Sequence, residues 1–173
     1  MNAQPAAGAR PLVAILMGSD TDLAVMQKAA AQLAHFGIPY EMEIISAHRS
    51  PQRTAEYARN AAARGLRVLI AGAGASAALA GALAAETTLP VIGVPLATSP
   101  LSGFDALLST AMLPAGVPVA AMAVGEAGAT NAGVLAAQML ALSDPALAQR
   151  LLEHKRELER KVMEKSEKMK RER

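Results

Sequence analysis

The sequence contains no cysteine, no tryptophan, and only two phenylalanines and two tyrosines among 173 residues. Without cysteine there is no disulfide, no thiolate nucleophile and no cysteine-ligated metal cluster. That suits a reducing compartment, and a cytoplasmic location is the expectation. With so few aromatics the core must be aliphatic, Ala and Gly bringing its elements close together. Helices laid tightly on a sheet fit this composition better than an aromatic-rich β-sandwich. No apolar run approaches the roughly 18 residues of a membrane span, so no membrane partner is expected. Residues 1–11 are small and polar, lack an apolar signal core, and are expected to form a disordered N-terminal segment.

Charge is split unevenly. From Arg150 onward there are ten Lys or Arg and six Glu, a net of +4, whereas the rest of the chain carries seven basic and nine acidic residues, a net of −2. The basic character therefore belongs to the tail and says little about a site. Mixed signs and the absence of interleaved aromatics argue against a nucleic-acid partner.

Short apolar runs alternate with segments of helical period. Leu12 to Met17 ends at Gly18 as a buried parallel strand would. Asp22 to Phe36 has helical spacing and is closed by Gly37. Ile38 to Ser46 reads as a second strand, and Ser50-Pro51 as the cap and first turn of a helix reaching about Arg64. Further strands are expected at Arg67 to Ala71, Pro90 to Val94 and Pro118 to Val124. Helices are expected near Ser76 to Glu86, from about Phe104, and at Ala129 to Leu142. Alternation of this kind implies an α/β fold with a parallel sheet covered on both faces and right-handed crossovers. In a flavodoxin-like order the first three strands are neighbours, so the loops that follow them converge where such sheets bind ligands.

Those loops carry the residues with chemical potential. Gly18-Ser19-Asp20-Thr21-Asp22 offers a sharp turn, hydroxyls and free amides at a helix start, which suit an anion such as phosphate; an ordinary capped strand–helix turn reads the same way. It is neither the dinucleotide fingerprint nor a Walker loop, which would carry a lysine. Ser46-Ala47-His48-Arg49 sets a residue that moves protons near neutral pH beside a cation with a bidentate fork, although a strand-end histidine can also serve the backbone alone. Gly72-Ala73-Gly74 and the alanines after it could wall a flat ligand or simply allow close helix–sheet packing. No Gly-x-Ser-x-Gly elbow is present. His35 closes a helix and His154 sits in the tail; both are expected to be solvated. No two histidines have metal-ligand spacing, and no metal site is expected.

Ser143-Asp144-Pro145 opens a last helix over 146–173 with an interrupted apolar stripe at Leu147, Leu151, Leu158, Val162 and Met169. It reads as a helix packed on its own domain or a neighbouring subunit, or as a partner-binding coiled-coil segment. The organisation expected is a catalytic domain over 12–143 and a helical extension over 144–173.

Taken together the motifs are more specific. Met17-Gly18-Ser19-x-x-Asp22, Ser46-Ala47-His48-Arg49-x-Pro51 and Ile70-Ala71-Gly72-Ala73-Gly74 occur in order. They are followed by Pro90-Val91-x-Gly93-Val94-Pro95, Leu101-x-Gly103-x-Asp105-x-Leu107, Gly116-Val117-Pro118-Val119 and Ala129-x-Asn131-Ala132. Over roughly residues 12–152 the chain resembles the N5-carboxyaminoimidazole ribonucleotide mutases of purine biosynthesis. The resemblance implies a three-layer α/β/α sandwich with a five-stranded parallel sheet, assembled as a homo-octamer, and an isomerase that uses no metal, biotin or nucleotide cofactor. It implies that His48 is the proton carrier, protonating the nitrogen as CO2 leaves and removing the C4 proton after CO2 is recaptured. Ser19, Asp22, Ser46 and Arg49 would hold the ribonucleotide substrate, with Arg49 on phosphate and Asp22 on ribose hydroxyls, while Gly72, Ala73 and Gly74 would wall the base and CO2.

One stretch departs from that family. Its usual Gly-Gly-Ala-Ala-His-Leu-Pro-Gly is Gly74-Ala75-Ser76-Ala77-Ala78-Leu79-Ala80-Gly81 in this chain. Ala78 thus stands where a site-lining histidine is usual, and Ala80 where proline is. An aminoimidazole ribonucleotide carboxylase using CO2 directly, and a nucleotide-binding paralogue without turnover, are the alternatives. Retention of Arg49 and the length of the third loop favour the mutase.

Overall fold

The computed structural model describes residues 10–172; most of the expected N-terminal segment, residues 1–9, lies outside that range. Five strands form one parallel sheet in the order β2-β1-β3-β4-β5. They are β1 (Val13–Met17), β2 (Tyr40–Ile44), β3 (Val68–Gly74), β4 (Val91–Leu96) and β5 (Ala120–Ala121). The helices are α1 (Leu23–His35), α2 (Pro51–Ala61), α3 (Leu79–Ala84), α4 (Phe104–Ala111), α5 (Glu126–Ala141) and α6 (Pro145–Arg171). The α/β class and the flavodoxin-like strand order match expectation.

Alternation along the central strands builds two cores. Val13, Ile15 and Met17 point to one face, where Met26 and Leu33 of α1 and Ala129 and Ala136 of α5 cover them. Ala14 and Leu16 point to the other, against Tyr57 and Ala58 of α2 and Leu79 and Leu83 of α3. β1 is buried along its whole length, which accounts for its unbroken apolar run. Small side chains set the spacing between layers: a Cβ on Gly133 of α5 would lie 2.7 Å from the Ala29 carbonyl oxygen of α1.

Several boundaries differ from the periodicity. β3 runs on to Gly74 because β4 continues to pair with it, Gly72 opposite Val94 and Gly74 opposite Leu96. Glycine has no strand preference of its own; the neighbouring strand imposes the conformation. β5 is only two residues long, since Pro118 brings no donor and an edge strand pairs on one side only. α3 begins at Leu79 rather than Ser76 because Ala75 and Ala77 are left-handed, with φ of 48° and 33°. α1 ends as Gly37 turns left-handed and the Ile38 amide bonds back to the Leu33 carbonyl at 2.9 Å, a Schellman closure.

α6 starts where Asp144 caps the Leu147 amide at 3.0 Å, and it packs through buried Leu147 and half-buried Leu151. His35 is exposed, as expected, but His154 is half-buried beside it. Their ring centroids are 5.6 Å apart, and His154 also lies edge-on to Phe36 at 5.3 Å. Burial, and then the neighbouring His35, push the His154 pKa down. Among the described residues no helix is long and apolar enough to cross a membrane.

Gly133→Ala should separate α1 from α5 or strain them, costing about 1–3 kcal/mol. Equilibrium denaturation with urea measures this, and an unchanged midpoint would show that the two helices tolerate a wider spacing.

Candidate active site

A cavity of about 400 Å³ opens at the carboxyl ends of the strands, large enough for a nucleotide-sized ligand. The loop after β1 contributes Gly18, Ser19, Thr21 and Asp22; the loop after β2 contributes Ser46, Ala47, His48 and Arg49. The end of β3 and the turn beyond it supply Ala73 through Leu79, and Thr98 enters from beyond β4. Seven of the eight residues singled out in the sequence therefore meet around one space: Ser19, Asp22, Ser46, His48, Arg49, Ala73 and Gly74. Gly72 does not line it. A Cβ there would overlap the Met26 thioether, so that glycine serves the packing of β3 under α1.

The first loop is organised by its own side chains. A single 3-10 turn, Asp20–Asp22, precedes α1 and is closed by a capping box. The Ser19 hydroxyl accepts from the Thr21 amide at 3.3 Å, and Asp22 Oδ2 accepts from the Ser19 amide at 3.2 Å. Asp22 is only 5% exposed. Burial raises its pKa, the Ser19 amide opposes that rise, Asp20 adds to it, and Arg49 works against it. An incoming hydroxyl donor would satisfy a carboxylate held at some cost.

The second loop is a tight turn at which the Ser50 amide and hydroxyl both donate to the Ser46 carbonyl, at 2.8 and 2.9 Å. The turn presents His48 on the exposed wall of the cavity. Arg49 bridges the loops: Nη2 donates to the Gly18 carbonyl at 2.7 Å and Nε to Ser46 Oγ at 3.3 Å. A guanidinium has five N–H donors, so this fixes the fork while leaving donors for an anion. Ser46 is thereby a support for Arg49 as much as a wall residue.

A cation, three hydroxyls and a buried carboxylate cluster at the loops of β1 and β2, with an imidazole beside them and a wall of small side chains across from them. Such a site can hold an anionic sugar and move protons on a flat ring. Residues 12–161 match the family model described as AIR carboxylase. The chain belongs to the AIR carboxylase family. Among relatives of this family, the N5-carboxyaminoimidazole ribonucleotide mutase of Thermotoga maritima is 51% identical over 159 residues, 92% of each protein. The mutase of Mycobacterium tuberculosis is 54% identical over 146 residues, 84% of this chain and 83% of that protein. The crystal structure of Treponema denticola PurE superposes with a TM-score of 0.83 at 31% identity, covering 93% of this chain and 99% of that one.

Thr21, Ser76 and Thr98 line the cavity without having been singled out. Thr98 follows β4, outside the three convergent loops that carry the candidate residues. The parallel register of β4 beside β3, which ends on Gly74 opposite Leu96, is the signal that would have found it. Ala78 is on the wall as well, so this difference from the family faces the cavity.

The raised pKa of Asp22 has a definite sign. The folded chain holds this proton more tightly than the unfolded chain, so its contribution to stability is present below about pH 4 and lost as pH rises through the raised value. Asp22→Asn should be more stable than the unsubstituted protein at pH 7, the gain shrinking as the solution is acidified. Urea midpoints at pH 7 and pH 4 measure it; a less stable Asn variant at pH 7 would mean that the Ser19 contact outweighs burial.

Proposed function

We propose that the chain is an isomerase of de novo purine biosynthesis that converts N5-carboxyaminoimidazole ribonucleotide into 4-carboxy-5-aminoimidazole ribonucleotide. The observation that carries this is the grouping of His48 with Arg49, Ser19 and Asp22 on one cavity, in a chain whose relatives bear the mutase name. Arg49, already oriented by the Gly18 carbonyl, takes the phosphate, with Ser19 beside it. Asp22 accepts from ribose hydroxyls, and Ser46 keeps the Arg49 fork in place.

The base then lies beside His48 and against the wall formed by Ala73 and Gly74. His48 as imidazolium gives a proton to N5 while the N–carboxylate bond breaks. That bond's electron pair stays on nitrogen and CO2 is released into the cavity. The ring's C4 attacks the CO2 carbon, and neutral His48 removes the C4 proton, which restores both the aromatic ring and the imidazolium. No net proton or electron is consumed. The small side chains opposite leave room for CO2 beside the base, where it is recaptured before it escapes.

The catalytic unit is residues 12–143, and α6 is an extension of it. A homo-octamer is part of this reading, supported by exposed Leu101, Phe104 and Met112 along α4 and the loop before it, an apolar stripe suited to a second copy. A cytoplasmic location accords with the cysteine-free sequence.

His48→Asn should abolish turnover of N5-carboxyaminoimidazole ribonucleotide while ligand affinity stays within about tenfold, or roughly 1.4 kcal/mol. Absorbance kinetics and calorimetric titration measure the two quantities. Loss of binding as severe as the loss of rate would assign His48 to recognition. Turnover of aminoimidazole ribonucleotide plus bicarbonate, with none of the carboxylated substrate, would overturn the isomerase reading.

A further inference from the structure

We infer that Thr98 is a specificity-determining residue of this cavity, its hydroxyl recognising the carboxylate that is transferred. The inference rests on the function proposed above and adds a residue that neither the motifs nor the proposed mechanism uses.

Strand order supplies the first argument. In the sequence β2-β1-β3-β4, a base lying against the end of β3 has the β2 loop with His48 on one side and the segment after β4 with Thr98 on the other. The second argument is chemical. Apart from Ser76 the wall between them is glycine, alanine and one leucine, so Ser76 and Thr98 carry the side-chain hydrogen-bonding groups on this side of the cavity. Ser76 sits mid-turn between Ala75 and Ala77, whereas Thr98 is seated on the backbone. A Cβ added to Gly74 would fall on Thr98 Oγ1 and lie 3.2 Å from the Leu96 carbonyl oxygen. The hydroxyl thus occupies a place, against the end of β3, that exists only because residue 74 has no side chain.

A hydroxyl can donate to a carboxylate without adding charge. That suits a group which must be held on N5, lost as neutral CO2, and held again on C4. A cation at the same place would stabilise the carboxylate in both end states and oppose its loss.

The test compares Thr98→Val, which keeps the shape and removes the hydroxyl, with Thr98→Ser, which keeps the hydroxyl, and with Gly74→Ala, which displaces it from the other side. With N5-carboxyaminoimidazole ribonucleotide, the Val and Ala variants should lose roughly 10- to 100-fold in kcat/KM, the value of a hydrogen bond to a charged group. The Ser variant should stay within a few-fold of the unsubstituted chain. Affinity for aminoimidazole ribonucleotide, which lacks the carboxylate, should barely change in Thr98→Val. Unaltered kcat/KM in Thr98→Val, or an equal loss of affinity for both ligands, overturns the inference. If the unsubstituted chain itself fails to convert the carboxylated substrate, the functional reading falls and takes this inference with it; normal turnover by Thr98→Val removes the inference alone.

Discussion

The donation from Arg49 to the Gly18 carbonyl is the contact on which the site depends. Two loops that leave adjacent strands are joined by one charge-assisted hydrogen bond of 2.7 Å, and Ser46 holds the same guanidinium from behind. In open solvent such a bond is modest, because water competes for both partners. Its importance is geometric: it points the remaining donors at the space in front of Ser19 and restrains the turn that carries His48. A lysine at this position could reach the carbonyl but would offer a point charge without the planar fork.

The small wall opposite has a cost. Ala75 and Ala77 are both left-handed, a conformation that strains a residue with a Cβ by about 1–2 kcal/mol. Asp22 is likewise buried against its preference. Strain and desolvation are thus both present around the cavity, while the sheet beneath it, with β1 fully buried, supplies the stability that permits them.

Much of this was legible in the chain. Unbroken apolar runs next to helical periods identified the parallel sheet, and the flavodoxin-like order expected of it brings the first three loops together, as the strand order β2-β1-β3-β4-β5 does. Each polar loop alone also fitted an ordinary turn; Ser19, Asp22, Ser46, His48 and Arg49 became legible as a set because their motifs occur in order with those of one family. What could not be read was decided across the chain rather than along it. β3 extends through glycines because β4 lies beside it. Gly72 is needed by Met26 rather than by a ligand. Thr98 becomes a wall residue only through the β3–β4 register. His35 and His154 look like separate surface side chains until α6 folds back onto the end of α1.

That last contact also marks where the chain leaves its own globule. His154 is the final aromatic anchor of α6, and the helix continues from Lys155 to Arg171, a rod of about 25 Å at 1.5 Å per residue. Leu158, Val162 and Met169 along it are exposed, and its ion pairs, such as Lys161 with Glu157 at 2.8 Å, run within the helix. Every strand and every side chain around the cavity lies before this anchor, so the arm projects from the domain without lining the space beside His48.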